Sequence, residues 1–319
     1  MINFWKMISI RWDEESIKPW SSIKKTIYIL LPLLVYYLVH DMAEILLWGA
    51  LNLLAGCVGD AGLAFLKANY YTVRGMISGL AILCGVAVIW KGVAAEIHAS
   101  GSKEDNGKMK QAVSGKDRQW VNEKRVTAYM VLGALAFLSA LGLNLLFDLI
   151  GFTESSVSFT QTATAQFGVD FGVGLVLYGI ISPFAEEAVF RGMIYNRMKR
   201  CFSYLIAIVV SSLLFGCYHG NLVQAVYGTI LGILIAYSYE KYESFAAPVL
   251  FHAVANVSIF VMTYGNKLAQ IDRPIRIVMA IISLIGAAGC LIWNSWRRRA
   301  RIKRIPYTRE ILFLIFVAK

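Results

Sequence analysis

Long apolar runs separated by short polar breaks set the pattern of this chain, and several of the runs approach the ~20 residues that a bilayer-spanning helix needs. The first extends from Thr26 to about Val58 and is interrupted by His40, Asp41 and Glu44. It predicts either one long tilted helix or a helix with a polar break. Further runs cover about Gly75 to Trp90, Val126 to Ile150, and Phe171 into the stretch FAEEAVFRGMIYNRMKR. The remainder cover Ser203 to Tyr218, Leu222 to Tyr239, Ala246 to Tyr264 and Ile275 to Trp296. The pattern therefore predicts an all-α, polytopic membrane protein of about eight transmembrane helices. Gly228 and Gly232 are spaced for close helix packing in the sixth.

Between the spans, residues 99–125 are Lys-rich, with Gly, Ser and charges of both signs, and read as an extramembrane loop. The stretch ESSVSFTQTATAQFG carries no Lys or Arg and reads as a loop on the opposite side. Four regions are expected. Residues 1–25 form a cytoplasmic interfacial lead-in, and 26–169 hold the N-terminal membrane helices and polar loops. Residues 170–264 carry the chemistry, and 265–319 supply the last transmembrane helix and a basic C-terminal tail.

Composition reinforces the membrane reading. The chain is 58% hydrophobic and 16% charged, where soluble domains carry roughly a quarter charged residues. Its net charge is +11. The Lys and Arg sit between apolar runs, which argues against nucleic acid and for attraction to anionic lipid headgroups. Lys24, Lys25, the 99–125 loop, Arg197, Lys199, Arg200 and the basic run at 297–304 all fall on one side. Both termini are accordingly expected on the cytoplasmic face. The five cysteines show no paired spacing and read as packing residues.

Ionisable groups inside membrane helices are costly and tend to mark functional sites. In the second half of the chain they concentrate at Glu186, Glu187, Arg191, His219 and His252. On a helix, Glu187 and Arg191 stand at i and i+4 and can pair, whereas Glu186 points about 100° away. Glu187 is thus expected to be a structural ion-pair member. Glu186, less well paired, is the candidate general base toward water. Phe215 and His219 share one helix face, and so do His252 and Asn256. An imidazole and a carboxamide converging from one helix suit oxyanion stabilisation. Each feature also has a bland alternative: a structural ion pair, a satisfied core histidine, or an Asn256 that bonds a neighbouring helix.

Taken in order, EEAVFR, FGCYH and HAVAN, each on its own apolar segment, resemble the motifs of the CPBP family of intramembrane proteases, which includes CAAX prenyl proteases and bacteriocin-processing (Abi) enzymes. The resemblance spans about residues 170–264. It implies a peptidase, in a bacterial plasma membrane, acting on a membrane-associated peptide or protein. In the family's favoured mechanism Glu186 and His219 activate water, while His252 with Asn256 stabilises the oxyanion. Glu187, Arg191 and Phe215 then support, as in a glutamic protease without a cofactor. A zinc held by Glu186, His219 and His252 is the alternative chemistry. A non-enzymatic immunity or scaffold protein is the alternative class. Straight spans leave one geometric conflict, because His219 falls at the far end of the fifth span from Glu186.

Overall fold

The computed structural model describes residues 4–101 and 115–303. Among the described residues every regular element is a helix. Two short helices, α1 (Phe4–Ser9) and α2 (Glu14–Ile17), lead into the 37-residue α3 (Ser22–Val58). After α4 (Asp60–Ala68) come α5 (Tyr70–Gly101) and α6 (Gly115–Leu149). Next are α7 (Val157–Phe167) and the compound helix α8 (Phe171–Cys201). The chain then continues through α9 (Tyr204–Cys217), α10 (Leu222–Tyr242), α11 (Ala246–Thr263) and α12 (Arg273–Lys303). The eight predicted apolar helices are therefore present. Seven of them are long and apolar enough to cross a membrane, and the protein is an integral multi-pass membrane protein.

The exception is α9. Its 14 residues rise only about 21 Å at 1.5 Å per residue, short of a hydrocarbon core of ~30 Å. By contrast, α3 runs unbroken through His40, Asp41 and Glu44, with Pro32 inside it. There His40 Nδ1 hydrogen-bonds Asp41 at 2.9 Å, and its Nε2 lies 4.0 Å from Glu44. Outward-facing side chains on α3 and α12 include Leu34, Leu38, Leu46, Ile281 and Ile285, as contact with lipid tails requires.

Three expectations need correction. The 99–125 segment is not all loop, because α5 persists to Gly101 and α6 begins at Gly115; residues 102–114 lie outside the described residues. The Ser/Thr-rich 151–170 stretch contains α7, whose first turn is capped by the Ser156 side chain. The lead-in does not merely rest at an interface. Met7 and Ile8 are buried, and α1 packs so closely on α5 that a Cβ at Gly92 would stand 2.1 Å from the Ile8 carbonyl oxygen. The tail from residue 304, including the end of the basic run, lies outside the described residues.

Two apolar clusters meet at the site-bearing helices. One joins α3, α5, α8 and α9 through Tyr36, Val86, Ala185, Val189 and Phe215. The other joins α6, α10, α11 and α12 through Leu135, Leu231, Phe251 and Ala287. The fifth and sixth apolar helices fit together through small residues. A Cβ at Gly216 would meet the Ala225 carbonyl at 2.2 Å, and one at Gly228 would lie 3.2 Å from the Gly216 Cα. This close approach in the absence of side chains is what Gly228 and Gly232 were expected to provide.

Candidate active site

Helix α8 is not a regular α-helix. It passes through a π-helical segment at Leu177–Ile181, an α-helical turn at Ser182–Glu187, and a second π-helical segment at Ala188–Tyr195. The two glutamates sit between the π segments, and such bulges recur at functional sites. Pro183 gives a local reason for the first. In the π register Ser182 bonds the carbonyl of Leu177, five residues back. The next residue is proline and has no N–H to offer Tyr178. The carbonyl of Tyr178 instead accepts a hydrogen bond from Asn256 Nδ2 at 3.1 Å. Asn256 therefore does bond a neighbouring helix, at the very carbonyl that the proline leaves without its helical donor.

Glu187 and Arg191 are both fully buried and pair at 3.0 Å, as their i, i+4 spacing predicts. The second guanidinium nitrogen donates to the Gly232 carbonyl of α10 at 2.9 Å, and the guanidinium lies 4.7 Å above the Phe215 ring. Glu187 does more than hold Arg191. Its same Oε1 accepts a hydrogen bond from His252 Nδ1 at 2.8 Å. Glu186 is also buried, and its two oxygens differ. Oε1 accepts from the Ser182 hydroxyl at 2.9 Å, whereas Oε2 has no hydrogen bond and faces His252 Nε2 at 3.7 Å. That separation is too long for a hydrogen bond.

Phe215 organises the far side. Its ring meets the imidazoles of His219 and His252 edge to face, with centroids at 5.2 and 5.4 Å. His219 Nδ1 lies 3.0 Å from the Phe215 carbonyl, which can only accept, so Nδ1 is the donor and Nε2 is the ring nitrogen left for another partner. Phe215 thus has an imidazole on each side. Helix α9 is short, and its C-terminal turn carries Phe215 onto Arg191 and His252, so the end of the fifth helix reaches the centre.

The structure thus brings Glu186, Glu187, Arg191, Phe215 and His252 into one network drawn from α8, α9 and α11. It ties His219 and Asn256 to that network through Phe215 and Tyr178. His252 was expected with Asn256 as an oxyanion pair; it also lies directly between the two carboxylates. The zinc trio is not assembled. Among the described residues no three His, Cys, Asp or Glu side chains converge as metal ligands, so Glu186, His219 and His252 do not fit a bound zinc as they stand, and no step is routed through one.

Sequence reasoning missed a second buried charge centre at one end of α8. Arg197, expected as a loop-side positive charge, is fully buried. It bonds Glu96 at 3.2 Å and donates to the carbonyls of Met7, Ile8 and Tyr28 at 2.9, 2.8 and 2.6 Å. Arg200 reaches both oxygens of Glu96, at 2.6 and 2.7 Å. The signal available was Glu96 itself, an acid close to the end of an apolar run. The five cysteines are all unpaired.

A multi-helix membrane bundle with a buried centre of two carboxylates, a guanidinium and imidazoles is the class that fold and site define. Residues 168–258, the segment that bears the three motifs, match the family described as Type II CAAX prenyl endopeptidase Rce1-like. The chain is also similar to a protein of Bacillus subtilis (strain 168) named "Putative membrane peptidase YdiL", at 22% identity over 162 residues. That similarity covers 44% of this chain and 66% of the relative. No solved structure matches significantly.

Proposed function

We propose that this protein is an intramembrane endopeptidase that hydrolyses a peptide bond of a membrane-associated substrate with water as the nucleophile. The observation that carries this reading is Glu186: a buried carboxylate with one oxygen held by Ser182 and the other unbonded, facing an imidazole. Glu186 takes a proton from water as its oxygen adds to the scissile carbonyl, and then delivers that proton to the leaving amine. His219, with Nδ1 engaged by the Phe215 carbonyl, is suited to hold the water beside it through Nε2. His252 is held between two carboxylates and is suited to act as an imidazolium that donates from Nε2 to the oxyanion. Asn256 steadies the turn below it and presents its second amide proton. Glu187 and Arg191 orient His252.

The family match favours a substrate of the CAAX prenyl type, cut near the membrane surface. The basic side chains at one end of the bundle, Lys24 and Lys25 among them, support contact with anionic headgroups and a cytoplasmic placement of both termini. Profiling new peptide termini in membranes carrying wild-type protein or Glu186→Gln tests the reading. The variant is expected to fold and to abolish the products; equal cleavage by purified Glu186→Gln sinks the assignment.

A further inference from the structure

Ser182 uses its hydroxyl differently from other serines in this bundle. Ser139, Ser258 and Ser295 each donate to the main-chain carbonyl four residues back, a common bond for a serine inside a helix. Ser182 donates forward instead, to Glu186 Oε1 at 2.9 Å. The carbonyl four residues behind it belongs to Tyr178 and accepts from Asn256 Nδ2 at 3.1 Å. The Ser182 N–H bonds the Leu177 carbonyl, five residues back, and closes the π turn. Backbone and side chain of Ser182 are thus both engaged at the junction between the first π segment and the turn that carries the glutamates.

That forward bond fixes something the glutamate does not fix alone. The last torsion of a glutamate side chain is broad and roughly two-fold, so its two oxygens exchange places readily unless one is held. Here Ser182 holds Oε1, and Oε2 is turned towards His252 Nε2, 3.7 Å away, with no hydrogen bond of its own. A hydroxyl bonded to a carboxylate is a charge-assisted contact, stronger than the back-bond it replaces. Helix formation does not account for the serine either, because alanine is the better helix former. What serine adds at this position is one donor, four residues before the candidate base.

We propose that Ser182 is a positioning residue for peptide hydrolysis: its hydroxyl occupies Glu186 Oε1 and so assigns the proton transfer to Oε2. This role rests on the peptidase reading. As water's oxygen bonds to the scissile carbonyl carbon, its proton passes to Oε2 and the C=O π pair moves onto the carbonyl oxygen. When the C–N bond breaks, the pair returns to the carbonyl, and Oε2 hands its proton to the leaving amine. Ser182 keeps its own proton throughout. With Oε1 held, Oε2 stays on the His252 side of the carboxylate through both transfers, and the base is in place before substrate arrives.

The test uses the full chain in lipid nanodiscs, with a quenched-fluorescent farnesylated CAAX peptide as probe. Ser182→Ala is expected to lower kcat by about 10²-fold, the effect of misplacing a reacting group by roughly 1 Å, with KM little changed. Ser182→Thr keeps a hydroxyl on the same carbon and should retain most of the rate. Ser182→Cys has the shape of serine, but its S–H is a weak donor, so it should be as slow as Ser182→Ala. If Ser182→Ala does not fold, the threonine and cysteine variants decide between them. Threonine as slow as cysteine, or cysteine as fast as wild type, overturns the proposal, as does a rise in KM at unchanged kcat. So does wild-type kcat in Ser182→Ala beside an inactive Glu186→Gln, an outcome that leaves the peptidase reading standing. Wild-type protein without any cleavage sensitive to Glu186→Gln overturns the peptidase reading, and this role with it.

Discussion

His252 donates from Nδ1 to Glu187 Oε1 at 2.8 Å, the same oxygen that Arg191 holds at 3.0 Å. One carboxylate oxygen thus fixes a cation on its own helix and an imidazole on another. Breaking a buried ion pair by removing one partner costs roughly 3–5 kcal/mol, because the other charge is left unpaired. Glu187→Ala and Arg191→Ala should each lower the unfolding midpoint in detergent by that order. The double variant Glu187→Gln/Arg191→Met should recover part of the stability without recovering cleavage, since His252 has lost its orienting partner. Full stability in either alanine variant would show that the pair holds nothing together.

His219 should separate from that behaviour. Its imidazole contacts its own helix and the Phe215 ring, so little of the bundle depends on it. His219→Ala is expected to reduce kcat by about 10²–10⁴-fold, the range of a lost acid–base or water-holding group, while the melting midpoint moves little. A variant that unfolds as readily as Arg191→Ala, or that cleaves at the wild-type rate, removes His219 from the water-activating role.

The buried end of α8 gives a prediction about the N-terminus. Arg197 donates to the main-chain carbonyls of Met7 and Ile8, and Glu96 balances the Arg197 and Arg200 charges. Arg197→Leu should release α1 from α5, and limited proteolysis should then cut between residues 9 and 13 well before the bundle opens. Glu96→Ala should do the same and destabilise further, because two guanidiniums lose their carboxylate. Protection of that segment in both variants would place the anchor elsewhere, for instance in the contact at Gly92.

Much of this was legible in the residue order. Eight apolar runs became eight helices, because lipid leaves a backbone no other partner than its own helix. The Glu187–Arg191 pair followed from i, i+4 geometry alone. What periodicity does not carry is register. Neither π segment in α8 breaks the apolar pattern, so the placement of Glu186 opposite His252 could not be computed from a 3.6-residue turn. Arg197 escaped because a basic residue at a span's end reads as a headgroup charge, and only the fold places Glu96 beside it.

Pro183 offers the sharpest separation of stability from function. Proline in a helix interior is roughly 3 kcal/mol less favourable than alanine, so Pro183→Ala should raise the melting midpoint if only helix propensity is at stake. But alanine restores an N–H five residues after Tyr178, where a π turn would bond that carbonyl. The new donor competes with Asn256 Nδ2, now 3.1 Å from the same oxygen. If it instead bonds Gly179 in the α register, the turn tightens and rotates Glu186 relative to His252. Either way the variant should be more stable and slower, with kcat falling while the protein melts later. In the otherwise wild-type chain, Asn256→Asp should also be slow, because a carboxylate cannot donate to a carbonyl, whereas Asn256→Gln keeps a donor on a longer arm and should retain part of the rate. Pro183→Ala protein that melts earlier, or that cleaves as fast as wild type, would show that the proline does not set the register of the glutamates.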